Sequence, residues 1–156
     1  MITEEDIPVL LSVGKDNVYI WEKGETRLHE NEAAEILREM CQGEYMHPTP
    51  VKEGKIELVA DIDGLLKVDS DKMKKINGMG ELMIASRHGN FAVEKGDKLA
   101  GTRIIPLVIE REKMEQAKAV CEGEPILELK PFVHKKVGIV TTGNEVYYHR
   151  IEDTFT

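Results

Sequence analysis

The sequence predicts an α+β fold, with a β-rich N-terminal domain carrying short helices over residues 1–133. Strand-like and helix-like segments follow one another without the regular β-α-β alternation that a doubly wound parallel sheet shows. The pair Asp63-Gly64 stands between two apolar runs and is typical of a hairpin turn. Asn31 and Ser70 each precede a helical pattern of apolar residues, as helix N-caps do. These observations favour α+β over α/β for this domain.

Apolar and β-branched runs bounded by turn residues predict strands along the domain. The predicted strands are Val9–Val13, Val18–Trp21, Lys55–Ile62, Leu65–Val68, Glu81–Ser86, Leu99–Ile109 and, as a strand or a linker, Ile126–Leu129. The first two flank the polar turn 14–17, and the third and fourth flank Asp63-Gly64. Each of these two pairs is therefore predicted to form a hairpin.

Apolar residues at helical spacing predict three helices. They run from the Asn31 cap to Gly43, from the Ser70 cap to Gly78, and over Glu112–Val120. The segment His47–Pro50 holds two prolines and is predicted to be a loop. Cys41 and Cys121 fall among the apolar helix positions, which predicts buried thiols in place of a disulfide.

Residues 134–156 are predicted to begin a second unit, after a boundary marked by Pro125, Pro131 and the basic run 134–136. The apolar run 137–140 is typical of a strand buried on both faces of a parallel sheet. A polar, glycine-centred turn follows it at 141–144, where open α/β sheets bind anions beside backbone amides. An ordinary strand-to-loop junction is the alternative that spacing leaves open. Without neighbouring strands, we expect irregular packing beyond about residue 143.

Composition limits the classes of partner. The net charge is −8, with 29 acidic and 21 basic residues, and no cluster of Lys and Arg predicts nucleic-acid binding. The sequence shows neither a membrane-length apolar run nor a basic-then-apolar leader, so we expect a cytoplasmic protein that binds no membrane. The histidines and cysteines lack metal-ligand spacing, so no structural metal is predicted. The candidate cations for a phosphorylated ligand are Arg87, Lys95, Lys98, Arg103 and Arg150.

Two stretches carry a resemblance to a known family. The run Thr141–Val146, followed by Arg150–Thr154, resembles the start of the molybdopterin-binding domain. That domain occurs in the molybdopterin molybdotransferases of the MoeA and gephyrin type, in the MogA type and in the competence-damage proteins. The stretch Arg87–Phe91, followed by Val93–Asp97 and Ala100–Thr102, resembles the basic, glycine-rich segment that precedes the pterin domain in the molybdotransferases. By this resemblance, residues 134–156 are the first strand and loop of an incomplete α/β molybdopterin-binding domain.

The resemblance implies roles for seven residues. Glu145 and Asp153 would be catalytic, near molybdate or Mg²⁺, and the implied cofactor-binding residues are Thr142, Gly143, Asn144, Thr154 and Arg87. The implied cofactor is molybdopterin or its adenylate. His149 replaces a glycine of the family pattern, and the aspartate expected after Gly89 is replaced at Asn90 or Phe91.

Three functions stay open at this point. The first is an enzyme of molybdenum cofactor biosynthesis that assists molybdate insertion, and the second is a non-catalytic protein that delivers the finished cofactor to a molybdoenzyme. The replaced aspartate favours the second. The third is an α+β interaction module that forms a homodimer.

Overall fold

The computed structural model describes residues 3–17, 24, 26–140 and 143–152. Within these ranges the chain forms helices and antiparallel sheets, which confirms the predicted α+β class. The helices are α1 (Ile7–Ser12), α2 (Glu30–Cys41), α3 (Ser70–Asn77), α4 (Arg111–Cys121) and α5 (Asn144–Tyr147). The strands are β1 (Arg27–His29), β2 (Met46–Pro48), β3 (Lys55–Ala60), β4 (Gly64–Val68), β5 (Leu82–Ser86), β6 (Phe91–Val93), β7 (Lys98–Ile104), β8 (Val108–Glu110) and β9 (Leu127–Pro131). None of the helices in the described ranges has the length and apolar character to cross a membrane.

The strands form three antiparallel sheets. The largest has the order β2-β3-β7-β5, a second has the order β6-β4-β9, and β1 pairs with β8. Helix α2 packs on β3 and β7, α3 packs on β5, and α4 packs on α2. One face of the four-stranded sheet is therefore covered by helices, and its other face is open.

One hydrophobic core joins α2, α3 and α4 to the three sheets. Its largest buried apolar side chains are Leu37, Ile56, Leu58, Leu66, Ile76, Leu99, Ile104, Ile109, Met114, Ile126 and Leu127. Along β3, buried and more exposed residues alternate, as expected for a strand with one covered face. The core reaches from α2 to β9, so residues 26–131 carry most of the buried apolar surface.

The three predicted helices are confirmed, and the caps of α2 and α3 lie one or two residues earlier than predicted. Helix α2 begins after His29, whose Nδ1 accepts the Asn31 N–H at 3.2 Å. Helix α3 begins after Asp69, whose Oδ1 accepts the Lys72 N–H at 3.0 Å. Cys41 and Cys121 end α2 and α4 as free, buried thiols, as predicted.

The first predicted hairpin is wrong. Residues 7–12 form helix α1, and the predicted partner strand Val18–Trp21 lies outside the described residues. A 3-10 turn precedes the helix, where the Thr3 N–H and Oγ1 both bond to the Asp6 carboxylate at 2.9 Å. Pro8 follows in the first turn of α1, a position that proline tolerates because its missing N–H is not needed there.

The second predicted hairpin is also wrong, although both of its strands exist. Strand β3 pairs with β2 and β7, whereas β4 pairs with β6 and β9 in another sheet. Asp63 and Gly64 make contacts with residues that are distant in the sequence. Asp63 Oδ1 accepts the Lys95 N–H at 2.7 Å. A Cβ at Gly64 would lie 2.5 Å from the Lys130 carbonyl oxygen, so only glycine lets β9 approach this closely.

Three further predictions need correction. The segment His47–Pro50 is not all loop, because Met46–Pro48 forms edge strand β2 against β3. The predicted strand Leu99–Ile109 is divided into β7 and β8, which belong to different sheets. The short strands β1 and β6 were not predicted.

The predicted buried strand at 137–140 is not formed. Residues 132–140 are in neither helix nor strand. The exposed fractions of Val137, Ile139 and Val140 are 80%, 65% and 88%. A strand buried on both faces needs neighbours on both edges, and none of the described strands pairs with this run.

Candidate functional site

The predicted cofactor loop is described only between residues 143 and 152. Thr142, Asp153 and Thr154 lie outside the described residues. Gly143 precedes the one-turn helix α5, in which the Tyr147 N–H bonds to the Gly143 carbonyl oxygen at 2.9 Å. Asn144 and Glu145 therefore form the first turn of α5, and both are exposed.

The Glu145 side chain folds back toward Gly143. A Cβ built on Gly143 would lie 3.0 Å from Glu145 Oε1, so a larger residue at position 143 would displace this carboxylate. The carboxylate has no hydrogen bond or ion pair to any residue that the structure describes. Carboxylate oxygens are ligands that Mg²⁺ accepts, so an exposed and unpaired Glu145 is compatible with the implied cation.

The end of the loop is held by its own backbone and aromatic side chains. The Glu145 carbonyl oxygen accepts the Arg150 N–H at 2.8 Å, which closes the chain after α5. The Arg150 guanidinium lies 5.4 Å from the ring centroid of Tyr148, and Tyr148 contacts Tyr147 edge to face. Arg150, a candidate cation for a phosphorylated ligand, thus lies beside an aromatic face.

Arg87 lies in a different part of the molecule. Its two terminal nitrogens each bond to one Asp97 oxygen at 2.9 Å, a bidentate pair that fixes the guanidinium. Asp97 is held in turn by a 3.0 Å bond from the Glu94 N–H. Within the described part of the chain, no hydrogen bond, ion pair or ring contact joins Arg87 to residues 143–152.

The residues around positions 90 and 91, where the family pattern has an aspartate, form a small surface cluster. Asn90 has a left-handed backbone (φ 65°), and its Oδ1 accepts a hydrogen bond from Lys67 Nζ. Phe91 is 61% exposed and meets the His88 ring edge to face, with 5.3 Å between the ring centroids. A carboxylate at position 90 would keep the contact with Lys67, whereas Phe91 supplies only an apolar surface.

A cavity lies elsewhere, along β9, and was missed by the sequence reasoning. It has a volume of about 580 Å³ and is walled by Glu44, Tyr45, Glu124, Pro125 and Glu128. A Cβ at Gly43 would lie 2.3 Å from the Leu127 carbonyl oxygen, so the turn after α2 packs directly against β9. None of the predicted site residues that the structure describes lines this cavity.

The two thiols are not activated, and the described ranges hold no cluster of metal ligands. Burial raises the pKa of the Cys41 thiol to about 12, with nearby Cys121 as the second cause. Burial also raises the pKa of Cys121, so both thiols are protonated at neutral pH. No group of three or more metal-ligating side chains occurs among the described residues.

Two other candidate cations, Lys98 and Arg103, lie on the open face of the four-stranded sheet. Lys98 Nζ lies 2.7 Å from Glu57 Oε2. Lys55 and Glu57, which share this face, were missed. The alternation of charged and apolar residues from Lys55 to Ala60 could have placed both on the exposed side of β3.

Comparison with known proteins leaves the question of family open. No protein family model, no curated protein and no solved structure matches this chain.

Proposed function

We propose that this protein handles the molybdenum cofactor in the cytoplasm. It binds molybdopterin or its adenylate through residues 142–154 and serves the maturation or delivery of the cofactor. In this proposal Thr142, Gly143, Asn144 and Thr154 contact the cofactor. Glu145 and Asp153 face molybdate or Mg²⁺, and insertion of molybdate is the reaction that they would assist.

The exposure of the apolar run 137–140 is the observation that carries the proposal. Val137, Ile139 and Val140 follow the last strand of the core, yet each is at least 65% exposed. Burying three such side chains elsewhere is favourable by roughly 1.5–3 kcal/mol each. This supports their assignment to a pterin-binding domain that continues into the Gly143-Asn144-Glu145 turn.

Glu145 is the residue on which the enzymatic form of the proposal depends. Its carboxylate is exposed and bonds to no described residue, so it is free to meet a cation or to accept a proton. Gly143 leaves room for this carboxylate beside the backbone, as the 3.0 Å approach to Oε1 indicates. The cofactor itself would supply the dithiolene that receives the metal.

The test compares the natural full-length protein with two variants of it, Glu145→Gln and the matched control Glu152→Gln. Glu152 is an exposed carboxylate of the same segment that matches no invariant position of the family motif. We measure molybdopterin binding by anaerobic equilibrium dialysis and then the rate of molybdate insertion. For an enzyme we expect Glu145→Gln to bind the pterin normally and to insert molybdate about 100-fold more slowly, whereas Glu152→Gln matches the parent.

Other outcomes separate the alternatives. Normal insertion by Glu145→Gln would remove the catalytic role of this residue. Pterin binding without insertion by the parent protein would remove the enzymatic form of the proposal and leave delivery of the finished cofactor to a molybdoenzyme. Absence of pterin binding by the parent would overturn the proposal.

A second candidate function is an interaction module that forms a homodimer. Helix α1 favours it, because Ile7 and Leu11 lie about one helical turn apart, as do Val9 and Val13, and all four are 48–64% exposed. Exposed apolar patches mark interaction surfaces when they are contiguous. Sedimentation that shows a monomer at nanomolar protein concentration would exclude this function.

A further inference from the structure

The open face of the four-stranded sheet carries a regular arrangement of charged and small residues. The register places Lys55 opposite Arg103 and Glu57 opposite Gly101. On the other side of β7, Ala85 lies opposite Gly101. The helices α2 and α3 cover the opposite face of this sheet, so these side chains point to solvent.

The charge on this face differs from that of the chain as a whole. The net charge of the protein is −8, but five cations and two carboxylates line the two cavities on this face. The cations are Lys52, Lys55, Arg87, Lys98 and Arg103, and the carboxylates are Glu53 and Glu57. Asp97 pairs with Arg87, which leaves four cations against Glu53 and Glu57. This local excess of cations in an acidic protein favours an anionic ligand.

The Lys55–Arg103 pair is unfavourable without an anion. Like charges directly opposite one another on neighbouring strands destabilise a sheet. Lys55 is partly compensated, because its Nζ lies 2.7 Å from Glu57 Oε1. The Arg103 guanidinium has no carboxylate partner in the described part of the chain. Unfavourable arrangements such as this like-charge pair are expected where a protein binds a ligand.

The shape of the face also fits a ligand. Gly101 and Ala85 leave a depression between the longer side chains, and a Cβ on Gly101 would meet no atom within 4 Å. The depression is part of a cavity of about 180 Å³, a second cavity of about 320 Å³ is lined by Arg103, and Glu57 lines both. Lys55 and Lys98 each bond to a different oxygen of the Glu57 carboxylate at 2.7 Å, so a ligand as short as a diphosphate reaches both ammonium groups.

We propose that this sheet face is a binding site for the diphosphate group of a small soluble ligand. One phosphoryl group contacts Arg103, Lys55 and Lys52, and the other contacts Lys98 above Gly101. Glu57 holds the two ammonium groups in position. The site uses none of residues 142–154 and does not rest on pterin binding.

The test measures inorganic pyrophosphate binding to the intact protein by isothermal titration calorimetry at low ionic strength. Arg103→Gln is expected to weaken binding at least tenfold, because it removes the unpaired guanidinium. Gly101→Val is expected to weaken binding similarly by filling the depression, although it removes no charge. The control Lys118→Gln changes an exposed lysine of α4, away from the open face, and is expected to bind as the parent does.

Three results would overturn the proposal. The first is no heat of binding at millimolar pyrophosphate. The second is parent-like affinity in both Arg103→Gln and Gly101→Val while circular dichroism shows that both are folded. The third is binding to phosphatidylserine vesicles that pyrophosphate does not reduce, which would assign the cations to a lipid surface.

Discussion

The Glu57 carboxylate accepts hydrogen bonds from Lys55 and Lys98, which lower its pKa from 4.5 to about 2. Because the folded pKa lies below the unfolded value, Glu57 contributes stability above about pH 4.5 and loses it as the pH falls toward 2. We predict that Glu57→Gln lowers Tm relative to the parent at pH 6 and that this difference disappears by about pH 2. Thermal unfolding followed by circular dichroism across this range measures the difference.

Glu115→Gln is the control for this titration. Glu115 is an exposed carboxylate of α4 with no bond to any described residue, so its effect on Tm is expected to stay small throughout. A Glu57→Gln difference that does not change between pH 6 and pH 2 would mean that the two lysines do not hold the carboxylate ionised in solution.

Gly43 allows the turn after α2 to touch β9. Because a Cβ at this position would lie 2.3 Å from the Leu127 carbonyl oxygen, Gly43→Ala is predicted to lower the free energy of unfolding by roughly 1–3 kcal/mol. Gly138→Ala is the matched control, since its Cβ would meet nothing within 4 Å and its cost should be close to zero. Urea unfolding measures both variants, and equal stabilities would show that β9 moves away from the turn at little cost.

Among the elements, α3 has a specific role at the edge of the four-stranded sheet. Strand β5 is an edge strand, so its outer backbone groups need partners. The Asn77 side chain supplies them, because Nδ2 donates to the Ile84 carbonyl oxygen at 2.9 Å and Oδ1 accepts the Ile84 N–H at 2.8 Å. Asn77 at the end of α3 therefore ties this helix to β5.

Removal of the Asn77 side chain should leave the outer backbone groups of β5 without partners. Asn77→Ala is predicted to lower the free energy of unfolding by about 1–3 kcal/mol, because it leaves two backbone groups of the buried residue Ile84 unpaired. Amide hydrogen exchange should show faster exchange at Ile84. Lys74→Ala, on the same helix, has no described bond to lose and serves as the control. Unchanged exchange at Ile84 would contradict the role assigned to Asn77.

The helices could be predicted from the sequence because their signals are local. Helix α2 shows apolar residues at helical spacing and α3 adds a capping carboxylate at Asp69, and both lie within one or two residues of the predicted bounds. Helix α1 was missed because its β-branched residues favoured a strand, although Thr3, Asp6 and Pro8 together mark a helix start.

Strand pairing could not be predicted, because it depends on contacts that are distant in the sequence. Asp63-Gly64 has the residues of a hairpin turn, but Asp63 bonds to Lys95 and Gly64 admits β9. The same limit applies to the sheet face: the sequence identified Lys98 and Arg103 as cations, but only the register places Arg103 opposite Lys55. The seven residues implied by the family resemblance remain predictions.

At the scale of the whole molecule, the core and the C-terminal segment are separable. The last core residues belong to β9, and none of the described hydrogen bonds or ion pairs connects residues 143–152 to the core. Val137, Ile139 and Val140 are mostly exposed and bury little surface against it. We infer that the fold of residues 26–131 does not depend on the segment that carries Glu145.

A chain shortened to residues 1–133 tests this separation. We predict that its free energy of unfolding stays within about 1 kcal/mol of the parent value, because the deletion removes few buried contacts. Pyrophosphate affinity should also be unchanged, since the open sheet face lies within the retained part, whereas any pterin binding should be lost. Urea unfolding measures the free energy of unfolding, and isothermal titration calorimetry measures the pyrophosphate affinity. A shortened chain that unfolds or loses several kcal/mol would show that residues 134–156 are part of the core, and the assignment of Val137, Ile139 and Val140 to a pterin-binding domain would then lose its support.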